Sequence, residues 1–420
     1  MNNTTSYNKI KGVIITMKQS SIPNAKLTLL ALAISAFGIG STEFISVGLL
    51  PLITNDFGIS LSTAGLTVSI YALGVTIGAP ILTVLTSRLD RKKVLLLVMV
   101  IFIVGNLWVA LAPTFSLLLI GRIISALAHG VFMSIAAVIA ADVVAPDRRA
   151  SAIAFMFTGL TLATVTGVPL GTFIGQVTGW RMSFIFIVII GVIGLISNAL
   201  LVPNNLPKSN PISLRDIGKV LSNLRMLLIL FITATGYGGV FVVYTYVSPI
   251  LENHMGYSPQ AIVVILVIYG IFVAVGNTLG GHFANSNPLR ALVFSFIGLA
   301  LALLGINLAF DSHIIGLMMV FLMGLFMFMN VPGLQLYAVQ LSEKYVPSAT
   351  AMASALNISA FNVGIFIGSY VGGLIVRHKS LEYTPLYGFL MVMVAASITL
   401  AWLVYENKKN AATTTFSKTN

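Results

Sequence analysis

"STEFISVGLLPLI" occupies residues 41–53, the far part of an apolar run that begins at Leu27. About 20 apolar residues, rising ~1.5 Å each, are enough to cross ~30 Å of hydrocarbon, so this run reads as a membrane span. Yet it contains Glu43. A charge in hydrocarbon costs several kcal/mol unless it is paired or hydrated, and such residues mark ion or substrate pathways by default. The rest of the chain decides whether Glu43 has a partner.

Eleven similar runs follow. The spans are read as 27–52, 62–86, 94–112, 116–141, 150–175, 183–202, 227–250, 260–283, 291–310, 314–340, 347–376 and 385–404. The chain is 57% hydrophobic and 8% charged with mean hydropathy +1.00, whereas soluble domains carry about 25% charged residues. The expected fold is an all-α membrane protein of twelve transmembrane helices. The organisation expected is a tail (1–26), six helices (27–202), a linker loop (203–226), six more helices (227–404) and a second tail (405–420). Residues 1–16 read as an upstream extension of the frame, because Met17 opens a second plausible start, "MKQSSIPNAK". The chain has no cysteine, which excludes disulfides and thiolate chemistry.

The net charge of +12 is a topology signal. With the N-terminus inside, 19 of the 23 Lys and Arg fall on cytoplasmic segments. Arg181, Arg377 and Lys379 fall outside, and Arg122 lies within a span. The positive-inside rule then puts both termini in the cytoplasm and leaves no reason to expect a nucleic-acid partner. The two halves also repeat. "YALGVTIG" (71–78) matches "YGIFVAVG" (269–276), and Gly167, Gly171 and Gly175 match Gly364, Gly368 and Gly372. Two six-helix halves pivoting about a midplane site is a transporter layout.

Four stretches carry a resemblance. "TEFISVGLLPLI" closes span one. "GAPILTVLTSRLDRKKVLLL" (78–97) joins spans two and three. "GRIISALAHGVFMSIAA" (121–137) lies in span four. "GLTLATVTGVPLGTFIGQVTGWR" (159–181) lies in span five. Together they resemble the major facilitator superfamily, and within it the twelve-span drug:proton antiporter group in its arabinose-efflux-permease-like branch. The resemblance implies proton-coupled efflux of small organic molecules such as drugs, sugars or nucleosides. The proton gradient would be the energy source, with no cofactor, and the protein a monomer in the bacterial cell membrane. The superfamily's loop has an Asp where this chain has Ser87 and a Gly where it has Asp90. Arg88, Arg91, Lys92 and Lys93 keep the basic cluster, and Asp142 could supply the missing acid.

In span five, Gly159, Ala163, Gly167, Gly171 and Gly175 recur every four residues and form a smooth face for a closely approaching backbone. Pro169 removes one backbone hydrogen bond and permits a bend. The expectation is an interface between the halves that slides or seals; static close packing is the alternative.

Glu43 is the one acid placed well inside a span. It lies roughly 13 Å from the outer end of its helix, and Arg122 roughly 9 Å deep on span four. In the resembling family both spans face the central cavity, so a Glu43–Arg122 contact is expected. Burial favours a neutral carboxyl and a nearby guanidinium favours the charged one, so a change in pairing would load and release a proton. His129, two turns beyond Arg122, either relays protons or is simply packed. In the C-terminal half, Tyr244, Tyr246, Asn330, Gln335, Asn357 and Asn362 are the polar candidates for the substrate cavity. The methionines of 316–333 read as an adaptable wall or as packing. No catalytic residues, metal ligands or phosphate loop stand out, so an enzyme is not expected. A passive facilitator, with Glu43 and Arg122 as pore-lining groups, is the alternative to antiport.

Overall fold

The computed structural model describes residues 25–86, 89–145, 148–206 and 214–418. Among them are twelve helices long and apolar enough to cross a membrane. These are α1 (Ala25–Phe57), α2 (Leu61–Thr86), α3 (Arg91–Leu111), α4 (Phe115–Asp142), α5 (Ser151–Thr178) and α6 (Trp180–Leu201). The second six are α7 (Leu224–Tyr244), α8 (Pro259–Ser286), α9 (Pro288–Leu308), α10 (His313–Tyr345), α11 (Thr350–His378) and α12 (Thr384–Lys418). Every expected span is present. Several helices overrun the apolar stretch because backbone hydrogen bonding need not stop where hydrocarbon does: α1 ends five residues late and α12 continues through the expected tail. The expected loop before α7 contains a helix, Leu214–Leu221, whose Val220 is fully buried. The N-terminal tail to residue 24, Ser87, Arg88 and the middle of that loop lie outside the described residues.

The repeat in the sequence is a repeat of packing. In the first half α1 packs on α5 and α6, α2 on α4, and α3 on α4 and α6. In the second, α7 packs on α11 and α12, α8 on α10, and α9 on α10 and α12. The correspondence extends to atoms. A Cβ on Gly78 would meet Leu127, and one on Gly276 would meet Leu325. Both pairs are spaced by 198 residues along the chain.

The glycine face of α5 does not form the interface between the halves. It lies against α1 of its own half: a Cβ on Gly159 would strike the Ala33 carbonyl, on Gly167 Phe37 and Ser41, on Gly171 Ile45, and on Gly175 Leu49. Gly364, Gly368 and Gly372 of α11 lie in the same way against Ala234, Gly238 and Val242 of α7 and against Tyr246 just beyond it. Close packing within each half is what these glycines secure. Where the sequence permits a bend, the helix carries a π-helical turn, Ala163–Gly167, just before Pro169. The wider turn accommodates the proline's missing N–H and ring, a common cause of such bulges. It is this turn that faces the other half, where Gly270 of α8 abuts Thr164 and Val165.

Contacts between the halves gather at one end, the end that carries the α1–α2 turn. Gly58 makes that turn with φ +61°, a conformation open to glycine at little cost. One hydrophobic core is confined to the first half. The other fills the second half and takes in only Phe44, Val47, Leu50, Ala64, Val68, Ala72 and Val168 from the first. All seven lie toward the turn end of α1, α2 and α5. Gln176 Nε2 donates to the Pro259 carbonyl (2.8 Å) across the same end. Toward the tail end the two cores separate.

The packing of α5 on α1 yields a stability prediction. Gly159→Ala forces a Cβ onto the Ala33 carbonyl and should cost about 1–3 kcal/mol, read as a lower unfolding temperature of the purified protein in detergent. Gly218→Ala, where a Cβ meets nothing within 4 Å, should stay within about 0.5 kcal/mol of wild type.

Candidate functional site

Arg122 is the largest fully buried side chain, at 0% exposure. Its guanidinium is satisfied by backbone. Nη1 donates to the Thr42 carbonyl (2.7 Å), Nε to the Thr67 carbonyl (3.1 Å), and Nη2 reaches the Glu43 carbonyl at 3.5 Å. The cation also lies over the Tyr71 ring, 4.1 Å from its centroid. One side chain of α4 thereby ties α1 and α2 together. The α1 side of this joint is fixed by Thr42, whose hydroxyl donates to Asn106 Oδ1 of α3 (3.0 Å).

The expected Glu43–Arg122 contact is made through the Glu43 main chain and not through its carboxylate. Among the described residues that carboxylate has no ion-pair or hydrogen-bond partner, although Arg122, Tyr71, Tyr237 and Tyr244 are within its electrostatic reach. All three guanidinium nitrogens are instead directed at main-chain carbonyls. Glu43 is half-buried, whereas Phe44 beside it is buried in an aromatic cluster. Phe44 lies 6.3 Å from both Phe241 and Tyr244, and Tyr237 lies 5.4 Å from Phe241 and 4.9 Å from Phe361. These rings belong to the sealed layer between the halves. The half-buried acid therefore stands beside this layer.

Tyr71 is the functional candidate missed by the sequence reading. It is buried, its ring carries Arg122, and its hydroxyl lies 3.1 Å from His129 Nδ1. His129 is thus joined to Arg122 through Tyr71, on the common face that their seven-residue spacing implies. A signal was available, since Tyr71 opens one copy of the repeat and Tyr269 the other. In the second copy the Tyr269 hydroxyl approaches Met327 Sδ at 3.6 Å, and Met327 is 198 residues beyond His129. By the same offset Phe241 stands for Glu43 and Val320 for Arg122. The tyrosine and its hydroxyl contact are repeated; the ionisable groups are not.

In the second half, Thr233 Oγ1 donates to Asn357 Oδ1 (2.8 Å), Asn357 Nδ2 to Gln335 Oε1 (2.7 Å), and Gln335 Nε2 to Ser354 Oγ (2.7 Å). This network joins α7, α10 and α11. Asn330 and Asn362 donate only to their own helices, and their Oδ1 atoms have no partner among the described residues. Tyr244 stacks on Tyr269 at 5.2 Å. Tyr246 does not join these cavity candidates. It is fully buried at the turn end, wedged against Gly65 of α2 and Gly373 of α11, because α7 ends at Tyr244 and the chain turns there. Of the methionines in 316–333, Met323, Met327 and Met329 are buried packing and Met318 is exposed.

At the tail end Arg91 pairs with Asp142, so the acid at the end of α4 does meet the basic loop. Asp90 pairs with Lys93 (2.9 Å) on the surface, and Lys92 is half-buried. Among the described residues no three His, Cys, Asp or Glu gather as a metal site.

Comparison with known proteins follows the same lines. The family model described as Major Facilitator Superfamily matches residues 32–350. The chain is 54% identical to the uncharacterized MFS-type transporter YtbD of Bacillus subtilis (strain 168), over 93% of this chain and 98% of that one. It is 36% identical to the inner membrane transport protein YdhP of Escherichia coli (strain K12), over 87% and 93%. The crystal structure of a D-xylose-proton symporter superposes with TM-score 0.74 over 90% of this chain and 97% of that one, at 17% identity.

The Arg122 joint predicts that lysine cannot replace the arginine. Arg122→Lys offers donors from one nitrogen in place of a three-nitrogen fork and leaves buried carbonyls with poorer partners. It should lower stability by about 1–3 kcal/mol, measured by thermal unfolding in detergent. A second expectation concerns the tail end. Arg91→Ala, Asp142→Ala and the double variant should give a coupling of about 0.5–3 kcal/mol.

Proposed function

The chain belongs to the major facilitator superfamily of multi-pass membrane secondary transporters, not enzymes, and on that premise we propose that it exports small organic molecules in exchange for protons. The halves would rock about the layer that holds Glu43, exposing it to each side in turn. With both termini in the cytoplasm, the sealed turn end faces outward and the conformation is the one open to the cytoplasm.

The observation that supports the reading best is the state of the two charges within the spans. Arg122 is neutralised by carbonyls and an aromatic face, so it has a structural task that does not require Glu43. The Glu43 carboxylate is then free to exchange between a proton and a solute. A half-buried carboxylate changes affinity for a cation or a hydroxyl-rich solute when it is protonated, and the same event couples the two fluxes. The aromatic cluster beside it and the Thr233–Asn357–Gln335–Ser354 network supply apolar and hydrogen-bonding walls. Those walls suit drugs, sugars or nucleosides, the substrate classes of the antiporter branch that the motifs resemble. His129 and Tyr71 complete the proton-handling side, with Tyr71 holding the imidazole at its Nδ1.

Everted vesicles from cells producing the protein test this directly. They are energised, and lumen pH is followed while drugs, pentoses and nucleosides are added. Wild type should release protons with at least one compound, and Glu43→Gln should lose that release by about tenfold or more. Release that survives both Glu43→Gln and Glu43→Ala would remove the carboxylate from coupling. Solute uptake that proceeds without a gradient and moves no protons would replace antiport by facilitated diffusion.

A further inference from the structure

A groove of about 480 Å³ lies at the turn end, on the seam between the two halves. Its volume falls within the ~300–1,000 Å³ of small-ligand sites. Ser60, Ser62, Thr63 and Leu66 line it from the first half, and Tyr370, Leu374 and Arg377 from α11. Gly373, which also lines it, packs on Tyr246 and on the first half: a Cβ there would lie 3.0 Å from the Tyr246 hydroxyl and 3.4 Å from the Ser62 carbonyl. The groove is therefore bounded by the contact that seals this end.

We propose that this groove binds the phosphate headgroup of an anionic phospholipid, which bridges the halves and holds the turn end shut.

Three features point to that ligand. Arg377 is exposed, and among the described residues its guanidinium has no hydrogen-bond, ion-pair or ring partner. Its neighbour Lys379, by contrast, donates to the Tyr387 hydroxyl at 2.7 Å. A guanidinium beside hydroxyl donors is a phosphate-binding set, since charge-assisted hydrogen bonds from Arg to phosphate oxygens are strong and directional. Ser60 and Thr63 hydroxyls are 2.8 Å apart and share one hydrogen bond, which leaves further donor capacity toward the groove. The third feature is the wall. Tyr370 and Leu374 are 47% and 39% exposed on the flank of α11, an apolar surface that continues from the groove down the side of a spanning helix. A soluble anion would use the arginine and hydroxyls alone. A lipid uses the arginine and hydroxyls for its headgroup and the flank for its acyl chains.

The location gives the ligand a consequence. Its contacts come from both halves at the end that must part when the protein opens that way. A ligand that binds one conformation better than the other shifts the equilibrium toward it by its differential affinity. Bound lipid therefore favours the conformation closed at the turn end. This consequence rests on the alternating-access reading above; the binding itself does not.

The test separates the two. Full-length protein, delipidated in detergent, is titrated with phosphatidylglycerol and with inorganic phosphate, and bound lipid is counted by native mass spectrometry. Wild type should retain one tightly bound phosphatidylglycerol, and Arg377→Ala should weaken it by about tenfold. Arg290→Ala, an exposed arginine at the opposite end, should leave it unchanged. Equal retention by wild type and Arg377→Ala overturns the proposal. Displacement of the lipid by inorganic phosphate at equal concentration also overturns it, in favour of a soluble-anion site. For the conformational consequence, the absence of native cysteine lets spin labels be placed only at Asn55→Cys and His378→Cys, both exposed at this end. In nanodiscs, phosphatidylglycerol in place of phosphatidylcholine should enrich the short distance, and Arg377→Ala should abolish that enrichment. Identical distributions in both lipids, with binding intact, would overturn the bridging role and keep the site.

Discussion

A guanidinium buried among helices must find acceptors inside the protein, because hydrocarbon supplies none. Arg122 meets that demand with the carbonyls of Thr42, Thr67 and Glu43 and with the face of Tyr71. The consequences reach through the first half. Helices α1, α2 and α4 are held in one relative position, Tyr71 is fixed under the cation, and His129 is fixed through the Tyr71 hydroxyl. The same arrangement decides what Glu43 can do. An ion pair between two side chains would have consumed the carboxylate. A cation satisfied by main chain leaves it unspent, beside the layer where the halves meet.

That layer is built from two copies of one packing plan carrying different chemistry. Tyr71 and Tyr269 occupy corresponding places and each hydroxyl touches the residue 58 positions on, His129 or Met327. Where the first half has Glu43, Arg122 and His129, the second has Phe241, Val320 and Met327. The backbone scaffold has stayed symmetric while the buried charges have been confined to one side. An apolar half costs nothing in desolvation, so it can offer shape and neutral hydrogen bonds, as in the Thr233–Asn357–Gln335–Ser354 network, while the other half carries the titrating group.

Rigid halves and a separable seam require different contacts. Within each half, glycine faces let α5 settle closely onto α1, with Gly159 on the Ala33 carbonyl, and let α11 settle onto α7 at carbonyl depth along Gly364, Gly368 and Gly372. Such contacts cannot part without exposing backbone. Across the seam the contacts include rings around Phe44, Tyr246 against Gly65, the Gln176 amide on the Pro259 carbonyl, and one close backbone approach, Gly270 of α8 against Thr164 and Val165 of α5. The π-helical turn of α5 sits where the two requirements meet, its glycine face toward α1 and its Thr164–Val165 side toward α8.

Sequence alone determined the twelve spans, their order and the internal repeat, because length and hydropathy act on each segment independently of its neighbours. It also singled out Glu43 and Arg122, since charge within a span is legible without a fold, but it left open whether Asp142 meets the basic loop. It did not determine partners. Arg122 is held by carbonyls, which every residue possesses, so no residue type announces them. The glycine spacing of α5 announced close packing but not which helix would come close, and the expected inter-half interface gave way to α1. Tyr246 and Tyr244 are two residues apart in sequence, yet the end of α7 between them sends one to the seam and leaves the other in the aromatic layer. Only the tertiary structure fixes such matters, because they depend on the relative rotation of helices that are remote in the chain.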